Sequence, residues 1–415
     1  MSHPPASTTR RVNVRTPEVM QRVQAEVQRH YRSPLVEAIR ARGGHLEIGN
    51  TTLRLAREFG FCYGVERAID LAYAARRVFN DKRVLLLGEI IHNPEVNRQL
   101  TAMGVQSIPI SEHEQTVATL GPEDVVIVPA FGAETSIMST LKERGTQIVD
   151  TTCGDVMSVW KRVRSYAREG FTSIIHGKAS HEETRATASR ALGDDGKGHY
   201  LVVLTLEDVA RVCDFIVNGG DTQVFLNHFG GVSSHSPGFD PTLHLKRIGV
   251  ANQTTMLKSE TEEIQRRLRT AIEQRDAGRG DNFQVFDTIC GATQDRQDGL
   301  FDLLRHPLDL LLVVGGYNSS NTTHLVEIGE QHLPTFFIRT SECLGSVTEI
   351  LHFDLHHKSE TTSYTDRLAD PQAKVTVGIT AGASCPNNLI EDTVLRVFEL
   401  RGIPAETVHQ ACKPA

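Results

Sequence analysis

TQIVDTTCGDVMSVWKRVR, residues 146–164, runs from a short apolar stretch through a DTTCG turn into a helical pattern that continues to residue 168. FQVFDTICGATQDRQ, residues 283–297, repeats the arrangement. The same backbone device therefore places a cysteine twice, Cys153 and Cys290, at a strand-to-helix turn. A third thiol, Cys62 in REFGFCYGVERAIDLAYAARRV (57–78), again lies between an apolar run, LRLA, and an amphipathic segment, although without the flanking Asp-Thr. Unpaired N–H groups and the macrodipole at a helix N-terminus favour thiolate, the form that binds metal. Three such thiolates read as a ligand set.

The spacings narrow the metal. Cys62, Cys153 and Cys290 lie far apart in the chain, the second interval about half as long again as the first, and no paired C-x-x-C unit occurs anywhere, so zinc ribbons and ferredoxin runs are excluded as templates. Single ligands so widely spread imply a site where modules meet. A four-iron cluster held by three thiolates would leave one iron open to substrate. The plainer alternative is that each cysteine is a small buried hydrophobe, which the repeated frame makes less attractive for Cys153 and Cys290 than for Cys62.

From about residue 51 apolar strand candidates (VLLLGEII, DVVIVPAFG, TQIVD, TSIIHG, YLVVL, FQVFD, LDLLLVVGG, TFFIR, VTVGIT) alternate with helical patterns such as 65–79, 157–168, 260–274 and 389–401. Continuous Val/Ile/Leu runs between helices predict an α/β chain with mainly parallel sheets covered on both faces. With one cysteine per recurring unit, the expected organisation is an N-terminal extension (1–50), three similar α/β modules at 51–152 (Cys62), 153–286 (Cys153) and 287–385 (Cys290), and a C-terminal helix and tail (386–415). Residues 218–244 and 352–372 break the rhythm and are expected to be loops or insertions.

Composition bounds the function. The 415 residues are 39% hydrophobic, enough for two to four domains. Seven cysteines without disulfide-like spacing fit a reducing interior. A net charge of −7 with no basic block argues against nucleic-acid binding, and the apolar runs are far shorter than the ~20 residues of a membrane span. The chain is expected to be cytoplasmic. Residues 1–17 faintly resemble an organelle transit peptide, but Glu18 and Glu26 follow quickly and no cleavage pattern is evident. A short mobile arm is expected there, followed by a surface helix at 17–31 that Pro34 interrupts.

Strand ends are where open α/β sheets bind ligands. GGYNSSN (315–321) follows LLLVV and precedes a helix, so its backbone N–H groups and the hydroxyls of Ser319 and Ser320 can meet an anion; TAGASCP (380–386) repeats the design, with Pro386 suited to the first helical position. Neither is a nucleotide fingerprint, and turns and caps alone would account for either loop. His92 follows VLLLGEII, and KASHEET places His181 two residues before Glu183. The histidines could bind phosphate oxygens and the carboxyl group could act as an acid, or all three could be structural. ANQTTM adds Thr254 and Thr255, a candidate proton relay.

FGFCYGVERAI, IIHNPEVN, DTTCGDV, ASHEET, ANQTTM, DTICGATQDRQ, GGYNSSNT and TAGASCP stand in the order that resembles the 4-hydroxy-3-methylbut-2-enyl diphosphate reductase family, which closes the methylerythritol phosphate route to isoprenoids. The resemblance covers about residues 55–395. It implies three α/β domains around a central 4Fe-4S cluster, ligated by Cys62, Cys153 and Cys290, whose open iron takes the substrate's allylic hydroxyl. It further implies diphosphate contacts from His92, His181, Thr255, Ser319, Ser320, Asn321 and Ser384, proton delivery by Glu183, and a relay or hydroxyl contact at Thr254. Isopentenyl and dimethylallyl diphosphate are the implied products, ferredoxin or flavodoxin the implied electron donor, and a homodimer is compatible with it. Many members carry a histidine within an AHG tripeptide where this chain has PAFGAE with Phe131; that change and the N-terminal extension resemble the oxygenic-phototroph branch. Two other classes share parts of the pattern. A non-redox iron–sulfur hydro-lyase would want arginines facing a carboxylate, and a non-enzymatic metal-binding module would leave the Ser and Asn cradles unexplained.

Overall fold

The computed structural model describes residues 14–286 and 288–413. Most of the expected N-terminal arm, Asp287 of the second DTxCG frame and the last two residues lie outside the described residues. The chain falls into two compact units, one built chiefly from Ala75–Ile90 and Met103–Cys290, the other from Arg15–Ala74, Ile91–Ala102 and Gly291–Ala415. Three α/β modules are distributed over them.

The first unit holds two four-stranded sheets, parallel throughout. In one, the strands run Val105–Ile108, Arg83–Leu87, Asp124–Val128, Gln147–Asp150. Leu85, Leu87, Val126, Val128 and Ile148 project to one face and pack with Val117, Ile137 and Leu141 from the covering helices and with Leu120 from a connecting loop. The other sheet runs Phe283–Val285, Ile248–Asn252, Thr172–His176, Tyr200–Val203. Side chains alternate along a strand, so Ile174 and Val250 join a core beneath helices Leu206–Asn218 and Lys258–Arg275, while Ile175 and Ala251 join another beneath Gly154–Arg168. Burial on both faces is why these strands read as unbroken apolar runs.

The second unit is built on a five-stranded sheet, His45–Ile48, Thr51–Leu55, Val375–Ala381, Leu310–Val314, Thr335–Ile338, parallel except for the outer hairpin made by the first two. Helix Pro17–Tyr31 forms as expected but is more than a surface element: Val23 and Tyr31 are buried, and the Tyr31 hydroxyl lies 2.9 Å from that of Tyr73. Burial, first, and the Tyr73 hydroxyl push the Tyr31 phenol far above its ordinary range.

Four expectations are corrected here. Thr51–Leu55 does not open the first module; it pairs with Val375–Ala381, which belongs to the last. Residues 352–372 carry most of an antiparallel hairpin, Glu349–Asp354 with Ser359–Tyr364, polar because much of it is exposed. Residues 218–244 contain helices Thr222–His228 and Pro241–His244, each N-capped by an aspartate, Asp221 and Asp240, that accepts from backbone N–H groups. Pro386 occupies the N-cap position, with helix Asn387–Leu400 beginning one residue later.

Candidate functional site

The three sequence-predicted thiols occupy equivalent places in the three modules. Cys153 is the N-cap of helix Gly154–Arg168, Cys290 directly precedes Gly291–Leu304, and Cys62 directly precedes Tyr63–Val78. Each cysteine N–H is anchored to a carbonyl two residues beyond the end of a parallel neighbour strand: Cys153 N donates to Ala130 O (2.8 Å), Cys290 N to Thr254 O (3.3 Å) and Cys62 N to Ala383 O (3.2 Å). Thus Cys153 serves the sheet of 83–150, Cys290 the sheet of 172–285, and Cys62 the sheet containing Val375–Ala381. The assignment of Cys62, Cys153 and Cys290 to consecutive modules is shifted by one, because the strand before Cys62 crosses to the last sheet.

The Asp-Thr pair builds the turn in the first frame. Asp150 Oδ1 accepts from Thr152 N (3.1 Å) and Thr152 Oγ1 (2.6 Å), while Thr151 Oγ1 donates to Val128 O (2.6 Å). In the second frame Thr288 Oγ1 bonds Asn252 Oδ1. At Cys62, the helix N-terminus itself addresses the sulfur, Val65 N donating to Sγ at 3.4 Å. All three thiols are half-buried. The remaining four are different: Cys343, Cys385 and Cys412 are buried, and burial pushes Cys213 up to about 11 and raises Cys385 and Cys412 above the ordinary thiol range. Cys213, half-buried like the candidate ligands, sits inside helix Leu206–Asn218 rather than at a helix start, and a thiol kept protonated is a poor ligand, so position and burial separate three candidate ligands from the other four cysteines without reference to their spacing.

Within the first unit a polar network adjoins Cys290. Glu183, 3% exposed in the first turn of helix Glu182–Ala191, accepts at Oε1 from Thr254 N at 2.6 Å. Thr254 also holds Cys290, its carbonyl accepting from Cys290 N. His181 caps the helix, its Nδ1 accepting from Glu183 N at 3.1 Å. A ring nitrogen that accepts carries no proton, so the neutral imidazole presents Nε2–H as a donor. Phe131 stands edge-to-face against this ring, centroids 6.1 Å apart. The sequence reading missed Gln253, which is buried and ties the network together: Nε2 donates to Thr255 Oγ1 (2.8 Å), and Oε1 accepts from Lys178 N (3.2 Å) and Thr184 Oγ1 (3.1 Å). Its only signal was its place inside ANQTTM.

Within the second unit the two Ser/Gly loops and the His92 segment converge. Asn318 Nδ2 lies 3.3 Å from His92 Nδ1, and Ser384 Oγ donates to His92 O at 3.2 Å. Gly316 permits the approach, since a Cβ there would come within 2.5 Å of His92 O. Ser319 caps helix Ser320–Glu330 and accepts from Thr322 N and Thr322 Oγ1, which leaves its own O–H to donate. Asn321 is 4% exposed; its Oδ1 accepts from Ala383 N at 2.9 Å, which fixes the amide orientation, and its Nδ2 is buried without a hydrogen-bond partner in the protein. A buried unpaired donor costs about 1–3 kcal/mol, and beside a helix N-terminus it calls for an anionic acceptor. Thus the structure brings His92, Ser319, Asn321 and Ser384 into one loop cluster, with Ser320 at the same helix start, and gathers His181, Glu183, Thr254, Thr255 and Cys290 in another.

Comparison with known proteins places the chain among relatives of shared sequence and fold. The 4-hydroxy-3-methylbut-2-enyl diphosphate reductase of Gloeobacter violaceus is 48% identical over 390 residues, covering 92% of this chain and 90% of its own. The reductase of the same name from Thermosynechococcus vestitus is 46% identical over 389 residues, covering 93% of each. A solved structure of (E)-4-hydroxy-3-methyl-but-2-enyl diphosphate reductase, the terminal enzyme of the non-mevalonate pathway, superposes with a TM-score of 0.50 at 26% identity, covering 84% of this chain and 99% of that one. The E-1-hydroxy-2-methyl-but-2-enyl-4-diphosphate reductase of Plasmodium falciparum, 20% identical over 84% of this chain and 87% of its own with a TM-score of 0.58, shares the fold. With a family model described as LytB protein matching residues 53–398 as well, the chain belongs to the LytB family.

Proposed function

We propose that this chain is a 4-hydroxy-3-methylbut-2-enyl diphosphate reductase, removing the allylic hydroxyl of (E)-4-hydroxy-3-methylbut-2-enyl diphosphate to give isopentenyl and dimethylallyl diphosphate. The observation that carries the reading is the buried, oriented and unpartnered Nδ2 of Asn321 at the Ser320–Glu330 helix start, a donor that needs an anion. Near-full-length similarity to reductases of that name supports the same conclusion. A hydro-lyase acting on carboxylates is disfavoured, because neutral hydroxyl and amide donors dominate the loop cluster.

Cys62, Cys153 and Cys290 fit a 4Fe-4S cluster, being the three thiols left half-buried at helix starts while the others are buried in the core or carry raised pKa values. When bound, such a cluster supplies electrons and an open Lewis-acidic iron. The chain's own residues do the rest. Asn321, Ser319 and Ser320 hold the diphosphate with the N–H groups of their helix; His92 and Ser384 complete the cradle, and His181 contributes Nε2–H, with Thr255 beside it. Glu183, its carboxyl group steadied by Thr254 N, delivers a proton to the departing hydroxyl oxygen, and the Thr254 hydroxyl relays or holds it. Two electrons and two protons convert the C–O bond to C–H with loss of water, and the end of the allylic system that receives the second proton sets the product. An external one-electron carrier of the ferredoxin or flavodoxin class supplies the electrons, in keeping with the lack of a nucleotide fingerprint.

The test is anaerobic purification followed by iron and sulfide analysis and turnover with a chemical reductant. Four irons and four sulfides per chain are expected, lost on Cys62→Ser, Cys153→Ser or Cys290→Ser because a hydroxyl is a poor iron ligand, and retained on Cys213→Ser or Cys385→Ser. Asn321→Ala should weaken pyrophosphate competition by roughly 1.5–3 kcal/mol with unchanged cluster spectra. A zinc-loaded, colourless protein would overturn the proposal.

A further inference from the structure

The first unit contains a polar cavity, about 410 Å³, that none of the residues discussed as diphosphate contacts lines. Lys142, Lys161, Arg164, Arg168 and Arg190 form its walls, with Asp150 as the one carboxylate among the lining residues, a balance of +4 in a chain whose net charge is −7. Arg168 reaches Asp194 at 3.4 Å, an exposed pair that offsets little.

Two buried donors point to a ligand. Arg190 is 5% exposed; one of its terminal nitrogens donates to Ala133 O and Ala186 O, yet Nε has no partner. Its guanidinium lies 3.3 Å from the ring centroid of Trp160, which is 8% exposed and whose indole Nε1–H is also buried without a partner. The ring is clamped from Gly132 too, where a Cβ would come within 2.3 Å of it. Leaving a buried guanidinium nitrogen and a buried indole N–H both unsatisfied is costly, and with four further cations and a single carboxylate lining the cavity, the acceptor that suits both is an anion from outside the chain. Burial and the neighbouring Arg164 together draw Arg190 down to about 9 from the usual arginine range, the direction expected of a cation that lacks its counter-ion.

We propose that this cavity is a binding site for a small phosphate-bearing polyanion, distinct from the substrate cradle, with Arg190 Nε and Trp160 Nε1 donating to it and Lys161 and Arg164 neutralising its charge. Its floor is coupled to the turn that places Cys153: Asp150 lines the cavity and binds Thr152, and Cys153 packs against the cluster of Val156, Trp160 and Ala186. Occupancy therefore bears on the setting of that thiol.

Trp160 is the single tryptophan of the chain, so its emission reports this cavity alone. Inorganic pyrophosphate titrated into the full-length protein at constant ionic strength, set by chloride, should produce a saturable change in tryptophan emission. The double variant Lys161→Ala/Arg164→Ala, which alters an exposed and a half-buried side chain, should shift the midpoint at least roughly tenfold higher. Asn321→Ala should leave it unchanged. No saturable response at millimolar pyrophosphate, an equal response to chloride, or a response abolished by Asn321→Ala and indifferent to Lys161→Ala/Arg164→Ala would each overturn the proposal.

Discussion

Glu183 is the residue whose chemistry is most constrained by its setting. A carboxyl group in the first turn of a helix, 3% exposed, with one oxygen held by Thr254 N, has a fixed direction in which to act. Glu183→Gln keeps that shape and loses the transferable proton; turnover is expected to fall by ~10²–10⁴-fold, the usual worth of positioned proton transfer, with substrate binding close to normal. Steady-state and single-turnover measurements would separate the two, and a variant that binds poorly but turns over well would make Glu183 a holding residue. Phe131 illustrates the limit of sequence at this scale. As an aromatic in place of a histidine it reads as a lost donor, whereas its ring stands edge-to-face against His181 and helps set the orientation of that imidazole. Gln253 was hidden for the opposite reason: an amide inside a motif announces nothing until its three partners are seen.

At the scale of elements, loops are held by what glycine leaves out. Gly316→Ala would drive a Cβ into His92 O, moving the His92 segment away from Asn318 and Ser384. Overpacking of this kind costs about 1–3 kcal/mol, and weaker pyrophosphate binding with full iron content is expected; unchanged affinity would show that the loop yields without consequence for the cradle. The strands of the central sheets were legible because burial on both faces leaves continuous Val/Ile/Leu runs. His45–Ile48, Val105–Ile108 and the hairpin of 349–364 were not, since edge or half-exposed strands mix polar with apolar residues. The cysteine turns were legible through the DTxCG frame, yet their sheet membership was not. That depends on which strand lies next to which, and the pairing of Thr51–Leu55 with Val375–Ala381 spans most of the chain.

For the whole molecule, acid sensitivity offers a check on the first sheet. The Arg83 guanidinium, 2.8 Å away, holds Asp124 below the usual carboxylate range, helped by Gly121 N. Because the folded value is depressed, its stabilising contribution is complete above the unfolded value of about 4 and disappears as pH falls through the folded value. Arg83→Met should flatten that part of the acid limb in urea midpoints measured between about pH 6 and pH 3, and an unchanged limb would place the sensitivity elsewhere. Three modules, each offering one thiol by the same strand-end anchor, were foreseeable as a number; how five strands from both ends of the sequence make one sheet was not.

That sheet has its latest strand at its centre. Val375–Ala381 pairs with Thr51–Leu55 on one side and Leu310–Val314 on the other, so nothing joins the two halves until a ribosome has nearly finished. At ~5–20 residues per second, the edge of Thr51–Leu55 waits on the order of a quarter of a minute to a minute for its neighbour. During synthesis it is an open template for pairing with other chains, and the newborn protein depends on being shielded over that interval.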